Sequence, residues 1–71
     1  MIEFILKEGD YIELVQLLKY VKIAMSGGEA KMLVASEQVK RNGVVETRKR
    51  AKIRVGEIIE TMGKSVIIKG Q

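Results

Sequence analysis

Apolar residues change their spacing along the first part of the chain, from that of a strand to that of a helix. Residues 2–7 form a short apolar run with the β-branched Ile2 and Ile5 and the aromatic Phe4, which predicts a first or edge strand. Asp10 and Glu13 have the spacing of a capping box, and apolar residues then recur at helical spacing over residues 12–20. This pattern predicts a first helix that begins after Asp10 and ends near Tyr20.

A second helix is predicted by a repeat of the same signals. Ser26 and Glu29 again have the spacing of a capping box, in which the serine caps the helix and the glutamate reaches back. The apolar stripe that follows ends near Ser36 and consists of Ala30, Leu33 and Val34.

Turn signals separate strand-like runs in the second half of the chain. Asn42-Gly43 lies within the strand-like residues 39–45, and Asn-Gly favours a type I′ turn because both central positions need positive φ. Residues 57–61 and 65–69 flank Met62-Gly63-Lys64, which predicts a second hairpin. The order β, α, α and about four more strands predicts an α+β fold, with two short helices on a mostly antiparallel sheet of about four to five strands.

Positive charge is concentrated in one part of the chain. The 71 residues carry a net charge of +4, but residues 40–54 hold seven basic side chains and one acid. The other residues hold six basic and eight acidic side chains. A local positive field of this kind attracts polyanions. Residues 46–54, ETRKRAKIR, are called the basic segment below.

The basic segment has the pattern of a strand with two unlike faces. Over residues 50–55 apolar and basic residues alternate, so that one face would hold Arg50, Lys52 and Arg54. In a helix, Ile53 and Val55 would lie about 200° apart around the axis and leave no apolar face. The pattern therefore predicts an exposed stripe of positive charge.

Composition restricts the possible classes of function. The chain has no His and no Cys, and its acidic residues fall at predicted caps and turns. We therefore expect no catalysis, no cofactor, no metal and no small-molecule substrate. The length predicts one domain over residues 1–71. Because the N-terminal apolar run is short and contains Glu3, we expect a soluble cytoplasmic protein without a signal peptide or membrane span.

Four motifs, in this order and spacing, are similar to those of a known family. They are SGGEAK at 26–31, QVKRNG at 38–43, ETRKR at 46–50 and VGEII at 55–59. From about Ile12 to Lys69 the chain resembles the S-four RNA-binding domain, named after ribosomal small-subunit protein four, which has the alpha-L fold. The helix-two opening and the Glu-x-Arg-basic run are similar to its small stand-alone bacterial branch, the YaaA/YbcJ-like proteins.

The resemblance implies a domain that grips folded RNA with the start of helix two and the hairpin that follows it. Ribosomal RNA is the expected target and transfer RNA the second. Gly27 and Gly28 would let a phosphate approach the free N–H groups of the helix. The expected site residues are Ser26, Gly27, Gly28, Lys31, Lys40, Arg41, Arg48, Lys49, Arg50 and Lys52, and the role of Arg54 stays open.

Two positions depart from the pattern of that family. Many relatives have an arginine directly after the serine that opens helix two, whereas this chain has Gly27, so contact there must come from the backbone. The family's hairpin usually reads Val-x-Val-Asn-Gly, and here Arg41 replaces the second apolar residue. Arg41 is therefore either an added phosphate contact or the mark of a more exposed edge.

The basic segment has two alternative interpretations. It is a solvated strand face in which Glu46 pairs with a neighbour, or it docks an acidic partner as part of a protein-interaction adaptor. The aromatics Phe4, Tyr11 and Tyr20 are too few and scattered for a base-stacking platform, which favours recognition of RNA shape and phosphates.

Two further expectations concern packing and assembly. Met25, Met32 and Met62 are assigned to the core, where methionine fills irregular gaps, and are given no function. The strand predicted at residues 2–7 could pair within the chain or across a dimer, and a monomer is favoured.

Overall fold

A five-stranded sheet packs against two helices, and a pair of two-residue strands lies beside it. The computed structural model describes all residues from Met1 to Gln71. Its elements are β1 (Ile2–Leu6), β2 (Ile12–Glu13), α1 (Leu14–Tyr20), α2 (Gly27–Ala35), β3 (Lys40–Arg41), β4 (Val44–Val45), β5 (Lys52–Ile53), β6 (Ile58–Thr61) and β7 (Lys64–Gly70). The α+β prediction is confirmed.

The large sheet has the strand order β1-β7-β6-β3-β4 and is antiparallel except at one edge. There, β1 pairs in parallel with β7, with Ile2 opposite Val66 and Leu6 opposite Gly70. The prediction of an edge strand near the N-terminus is confirmed, and its partner lies within the same chain. β2 and β5 form the small antiparallel pair, with Ile12 opposite Ile53.

Both predicted hairpins are present and both use two-residue turns. Asn42 and Gly43 have φ of 52° and 84°, as a type I′ turn requires, and they join β3 to β4. Met62 and Gly63 have φ of 54° and 72° and join β6 to β7, with Thr61 paired to Lys64. Positive φ at both central positions matches the right-handed twist of the strands.

The first helix begins later than the sequence predicts. Glu13 is the N-cap residue of α1 but its side chain makes no capping bond, so the predicted capping box from Asp10 is wrong. Residues 12 and 13 instead form β2 and pair with β5. The N–H of Leu14 donates to the carbonyl of Ala51 at 2.9 Å, which replaces a side-chain cap with backbone from the basic segment.

The predicted Ser26 cap of the second helix is confirmed, whereas Glu29 reaches one residue further back than in a capping box. The Ser26 Oγ accepts the N–H of Glu29 at 3.1 Å, and the Glu29 carboxylate accepts the N–H of Met25 at 3.3 Å. The serine bond satisfies a free donor of the first helical turn, the glutamate bond fixes the residue before the cap, and Ser36 is the C-cap residue.

The core lies between the helices and the sheet and is built from branched aliphatic residues and alanine. Its fully buried large members are Leu14, Leu17, Leu18, Ile53, Ile59, Ile68, Val34, Val39 and Val66. Assignment of the methionines to the core is wrong, because Met25, Met32 and Met62 are 80%, 73% and 62% exposed. Met32 lies about 200° around α2 from the buried Ala30, which turns it to solvent.

Candidate nucleic-acid interface

The basic segment is tied to the start of α1 by its backbone. The carbonyl of Lys49 accepts the N–H of Val15 at 3.1 Å, next to the bond between Ala51 and Leu14. Beyond this, β5 pairs with β2, and Ala51 and Ile53 are buried. Because the backbone and the apolar side chains hold the segment, its basic side chains are left to point outward.

Alternation along the segment produces the predicted stripe of charge. Arg50, Lys52 and Arg54 are exposed while Ala51 and Ile53 are buried, although only Lys52 and Ile53 of the predicted strand over residues 50–55 form strand β5. These three side chains line one open groove together with Arg48, Arg41 and Ala51. Arg54, whose role the sequence leaves open, therefore lies with the other basic residues.

Arg41 is partly buried, and most of its donors are bonded within the protein. Its Nε and Nη2 donate to the two carboxylate oxygens of Glu57 at 2.6 and 3.0 Å. Nη1 donates to Glu46 at 3.2 Å, and Nη2 also donates to the carbonyl of Lys52 at 2.8 Å. Four of its five N–H donors are thus in use. β3 lies between β6 and β4, so Arg41 does not mark an edge.

Glu46 joins this ion pair to the basic segment. Its buried carboxylate accepts bonds from the backbone N–H and Nε of Arg48, both at 3.1 Å, and from Nη2 at 3.2 Å. The expectation that Glu46 pairs with a neighbour is confirmed. Hydrogen bonds from Arg48, together with those from Arg41, lower the pKa of Glu46 from 4.5 to about 2.

The ion pairs among Arg41, Arg48, Glu46 and Glu57, called the Glu46 network below, have no net charge. The Arg41 guanidinium lowers the pKa of Glu57, and Glu57 in turn raises the pKa of Arg41. Glu46 likewise raises the pKa of the exposed Arg48. Two arginines and two glutamates sum to zero, so these residues orient the segment and add little net field.

The uncompensated charge belongs to Lys49, Lys52 and Arg54. None of these side chains forms an ion pair with an acid, whereas the Nη2 of Arg50 lies 3.2 Å from a carboxylate oxygen of Glu13. The Arg50 side chain is 84% exposed, so this pair is a weak surface contact that a phosphate can replace.

An aromatic ring that sequence reasoning dismissed also lies here. Lys52 Nζ is 5.1 Å and Arg54 Cζ 5.4 Å from the centroid of the Tyr11 ring, which is a cation–π arrangement. In the sequence, Tyr11 is visible only as an aromatic residue directly before β2. The pairing of β2 with β5 brings it beside the basic segment.

The start of α2 offers free backbone donors and room around them. No protein acceptor receives the N–H groups of Gly27 and Gly28. Neither glycine has positive φ, and a Cβ added to either would find its nearest neighbour at 3.9 Å, an ordinary contact. The fold therefore tolerates alanine at both positions. Lys31 lies exposed one turn further along the same helix.

Helix α1 brings the start of α2 near the basic segment. Lys49 is bonded to Val15, and the side chain of Lys19 lies against Gly27. These attachment points are four residues apart, which is about 6 Å along a helix axis. Lys19 was not among the sequence predictions, because it becomes a neighbour of α2 only through the packing of the two helices.

Lys40 lies apart from this surface. It lines a separate groove with Glu37, Glu60 and Lys64, and it is paired across the sheet with Glu60. Adjacent residues of a strand point to opposite faces, so Lys40 and Arg41 diverge. The structure therefore does not bring Lys40 together with the other expected residues.

Two features common in other classes of site are not found. No helix is both long and apolar enough to cross a membrane. No group of three or more acidic residues is placed so that it could hold a metal ion.

Comparisons with known proteins agree with one another. The family model of the S4 domain matches residues 4–69. Over 66 residues the chain is 44% identical to "Putative RNA-binding protein YbcJ" of Escherichia coli K12, covering 93% of this chain and 94% of that one. "Uncharacterized protein YbcJ" of Shigella flexneri matches with the same identity and coverage.

Solved structures show the same relationship. The solution structure of E. coli YbcJ, described as revealing an alfaL motif involved in RNA binding, has a TM-score of 0.75 and 42% identity. That comparison covers 97% of this chain and 87% of the other. The ribosomal protein S4e of Thermoplasma acidophilum shares the fold, with a TM-score of 0.67 and 24% identity over 82% of this chain and 31% of that one.

Proposed function

Because the chain belongs to the S4 domain family, we propose that it is an RNA-binding module that grips structured RNA by its phosphates. The observation that carries this proposal is the groove lined by Arg48, Arg50, Lys52 and Arg54. Of the carboxylates beside it, Glu57 is paired with Arg41, Glu46 is paired with Arg41 and Arg48, and Glu13 forms a weak surface pair with Arg50. The remaining positive charge faces solvent, where a polyanion can reach it.

The basic residues have two different roles in this proposal. Lys49, Lys52 and Arg54, together with Arg50, contact phosphates. Arg48 is held in a fixed direction by Glu46 and presents its remaining donors along the groove. Arg41 supports the site without contacting RNA, since its bond to the Lys52 carbonyl fixes the backbone of the basic segment.

The start of α2 provides a second phosphate contact. The free N–H groups of Gly27 and Gly28 form an anion site of the kind found at helix N-termini, with Ser26 as the cap. Lys31 and Lys19 supply charge on either side. Two contact areas that are both attached to α1 suit the phosphates of a folded RNA, which is recognised by its shape.

The target that we propose is ribosomal RNA, with transfer RNA as the second choice. We further propose that the protein is a monomeric domain over residues 1–71 that acts in the bacterial cytoplasm without catalysis. Support for an RNA target comes from the name of the E. coli relative and the described motif of its structure.

A competition experiment tests the choice of polyanion. A fluorescent ribosomal RNA hairpin is bound to the protein and displaced with unlabelled hairpin, duplex DNA or heparin at equal charge concentration. Stronger displacement by the RNA hairpin supports the proposal. Equal displacement by all three contradicts it and favours a protein-interaction adaptor that docks an acidic partner through the same face.

A further inference from the structure

We propose that Tyr11 stacks on one unpaired nucleobase, so that the RNA element recognised has an unpaired nucleotide beside its helical phosphates. This inference rests on the proposed function and specifies the class of RNA that the same surface accepts.

The first support for this inference is the position of Tyr11 beside the basic segment. Tyr11 directly precedes β2, whose pairing of Ile12 with Ile53 and Glu13 with Lys52 sets the ring beside the basic segment. The other two aromatics pack on each other, since the rings of Phe4 and Tyr20 lie 5.1 Å apart at 84°. Tyr11 is therefore the aromatic residue that lies beside the basic segment.

The fold makes little use of the Tyr11 ring. Tyr11 is 44% exposed, and it belongs neither to the buried core nor to the partly buried residues packed against that core. The cations of Lys52 and Arg54 lie 5.1 and 5.4 Å from its ring centre. A ring in this position is available to a ligand, and the residue that follows it is anchored by the β2–β5 pair.

The two cations make the site suitable for a nucleotide. A nucleobase stacks on an aromatic face whatever its sequence, and this contact is sequence-tolerant. The same nucleotide carries a phosphate, and Lys52 and Arg54 lie within about 5.5 Å of the ring centre to receive it. Bases in a continuous duplex have no free face, so stacking here requires an unpaired nucleotide.

The test compares two RNA hairpins that are identical except for one unpaired adenosine in the stem. Tyr11→Leu removes the aromatic face and keeps apolar bulk, and Tyr11→Phe keeps the ring. The wild type and Tyr11→Phe are expected to bind the bulged hairpin about tenfold more tightly than the paired one. Tyr11→Leu is expected to bind both hairpins alike, with the salt dependence of the wild type.

A spectroscopic readout separates stacking from a structural role of the ring. The chain has two tyrosines and no tryptophan, so in a Tyr20→Phe background the emission comes from Tyr11 alone. Quenching by the bulged hairpin and not by the paired one supports stacking. Equal affinity of the wild type for the two hairpins, or an unchanged preference in Tyr11→Leu, overturns the inference while RNA binding itself stands. Failure to bind either hairpin overturns the proposed function as well.

Discussion

Arg41 and Glu57, which are sixteen residues apart in the chain, form a two-bond ion pair with distances of 2.6 and 3.0 Å. The pair connects β3 to the residue just before β6, and the same guanidinium reaches Glu46 and the carbonyl of Lys52. An arginine on β3 thus links three separate parts of the chain. We infer that its role is to shape the basic segment.

Arg41→Met is expected to lower the free energy of unfolding by about 2–3 kcal/mol. The substitution leaves Glu57 and Glu46 partly buried with fewer donors, which costs more than the loss of an exposed pair. Urea denaturation measures the change. Lys69→Met removes the same charge from an exposed pair with Glu3 and should cost under about 1 kcal/mol. Equal losses in the two variants would contradict the structural role of Arg41.

Stability is expected to fall in acid because of Glu46. Its pKa is lowered from 4.5 to about 2 in the folded protein, chiefly by hydrogen bonds from Arg48, so protonation favours the unfolded chain. The stabilisation is complete above about pH 4.5 and is lost as the pH falls towards 2. Glu57 acts in the same sense, since its pKa is also lowered by Arg41.

The pH dependence is measured by urea denaturation between pH 7 and pH 2. Glu46→Gln cannot ionise, so its stability should fall less steeply below pH 4.5 than that of the wild type. Glu3→Gln, in an exposed pair, should keep the steep fall. A Glu46→Gln profile parallel to that of the wild type would show that this carboxylate does not carry the dependence.

Gly27→Ala with Gly28→Ala is expected to stabilise the fold and weaken RNA binding. Alanine is favoured over glycine in a helix by about 0.5–1 kcal/mol, and neither position has positive φ or a close neighbour. The added methyl groups would keep a phosphate from the free N–H groups, with a loss of affinity of about tenfold. Thermal unfolding and hairpin binding measure the two effects.

The matched control for the glycines is Gly63→Ala, in the turn between β6 and β7. Gly63 has a φ of 72°, so alanine should destabilise the protein without changing RNA affinity. If the double alanine variant at α2 binds RNA as tightly as the wild type, the two glycines have no contact with phosphate.

Much of the fold could be predicted from local signals. The Asn42-Gly43 turn, the Ser26 cap and the alternation from Arg50 to Arg54 each depend on residues close together in sequence. The start of α1 could not be predicted in this way, because Asp10 and Glu13 have the spacing of a capping box. Pairing of β2 with β5, across 40 residues, overrides that local preference.

The candidate site could be predicted by charge but not by geometry. Charge patterning indicated Arg48, Lys49 and Lys52 as candidates, yet it could not show that Arg41 is hydrogen-bonded to Glu57 and Glu46. Nor could it show Tyr11 beside the basic residues, because that neighbourhood is created by the sheet. Spacing along the chain carries no information on which face of a distant strand a side chain meets.

Removal of three unpaired basic side chains should weaken RNA binding and make the remaining affinity less dependent on salt. Lys49, Lys52 and Arg54 have no acidic partner, so their replacement by alanine leaves the Glu46 network intact. Each phosphate contact contributes roughly −0.9 to the slope of log affinity against log salt. The control removes three charges elsewhere, at Lys7, Lys64 and Lys69.

The most direct test of the account is therefore the affinity for a structured ribosomal RNA hairpin across a salt series, measured for the wild type and these two triple variants. The account predicts a slope of about −4 for the wild type and for the control, and of about −1 to −2 for the alanine variant of Lys49, Lys52 and Arg54. Equal slopes for the two triple variants, or a wild-type affinity independent of salt, would contradict a phosphate grip by the basic segment.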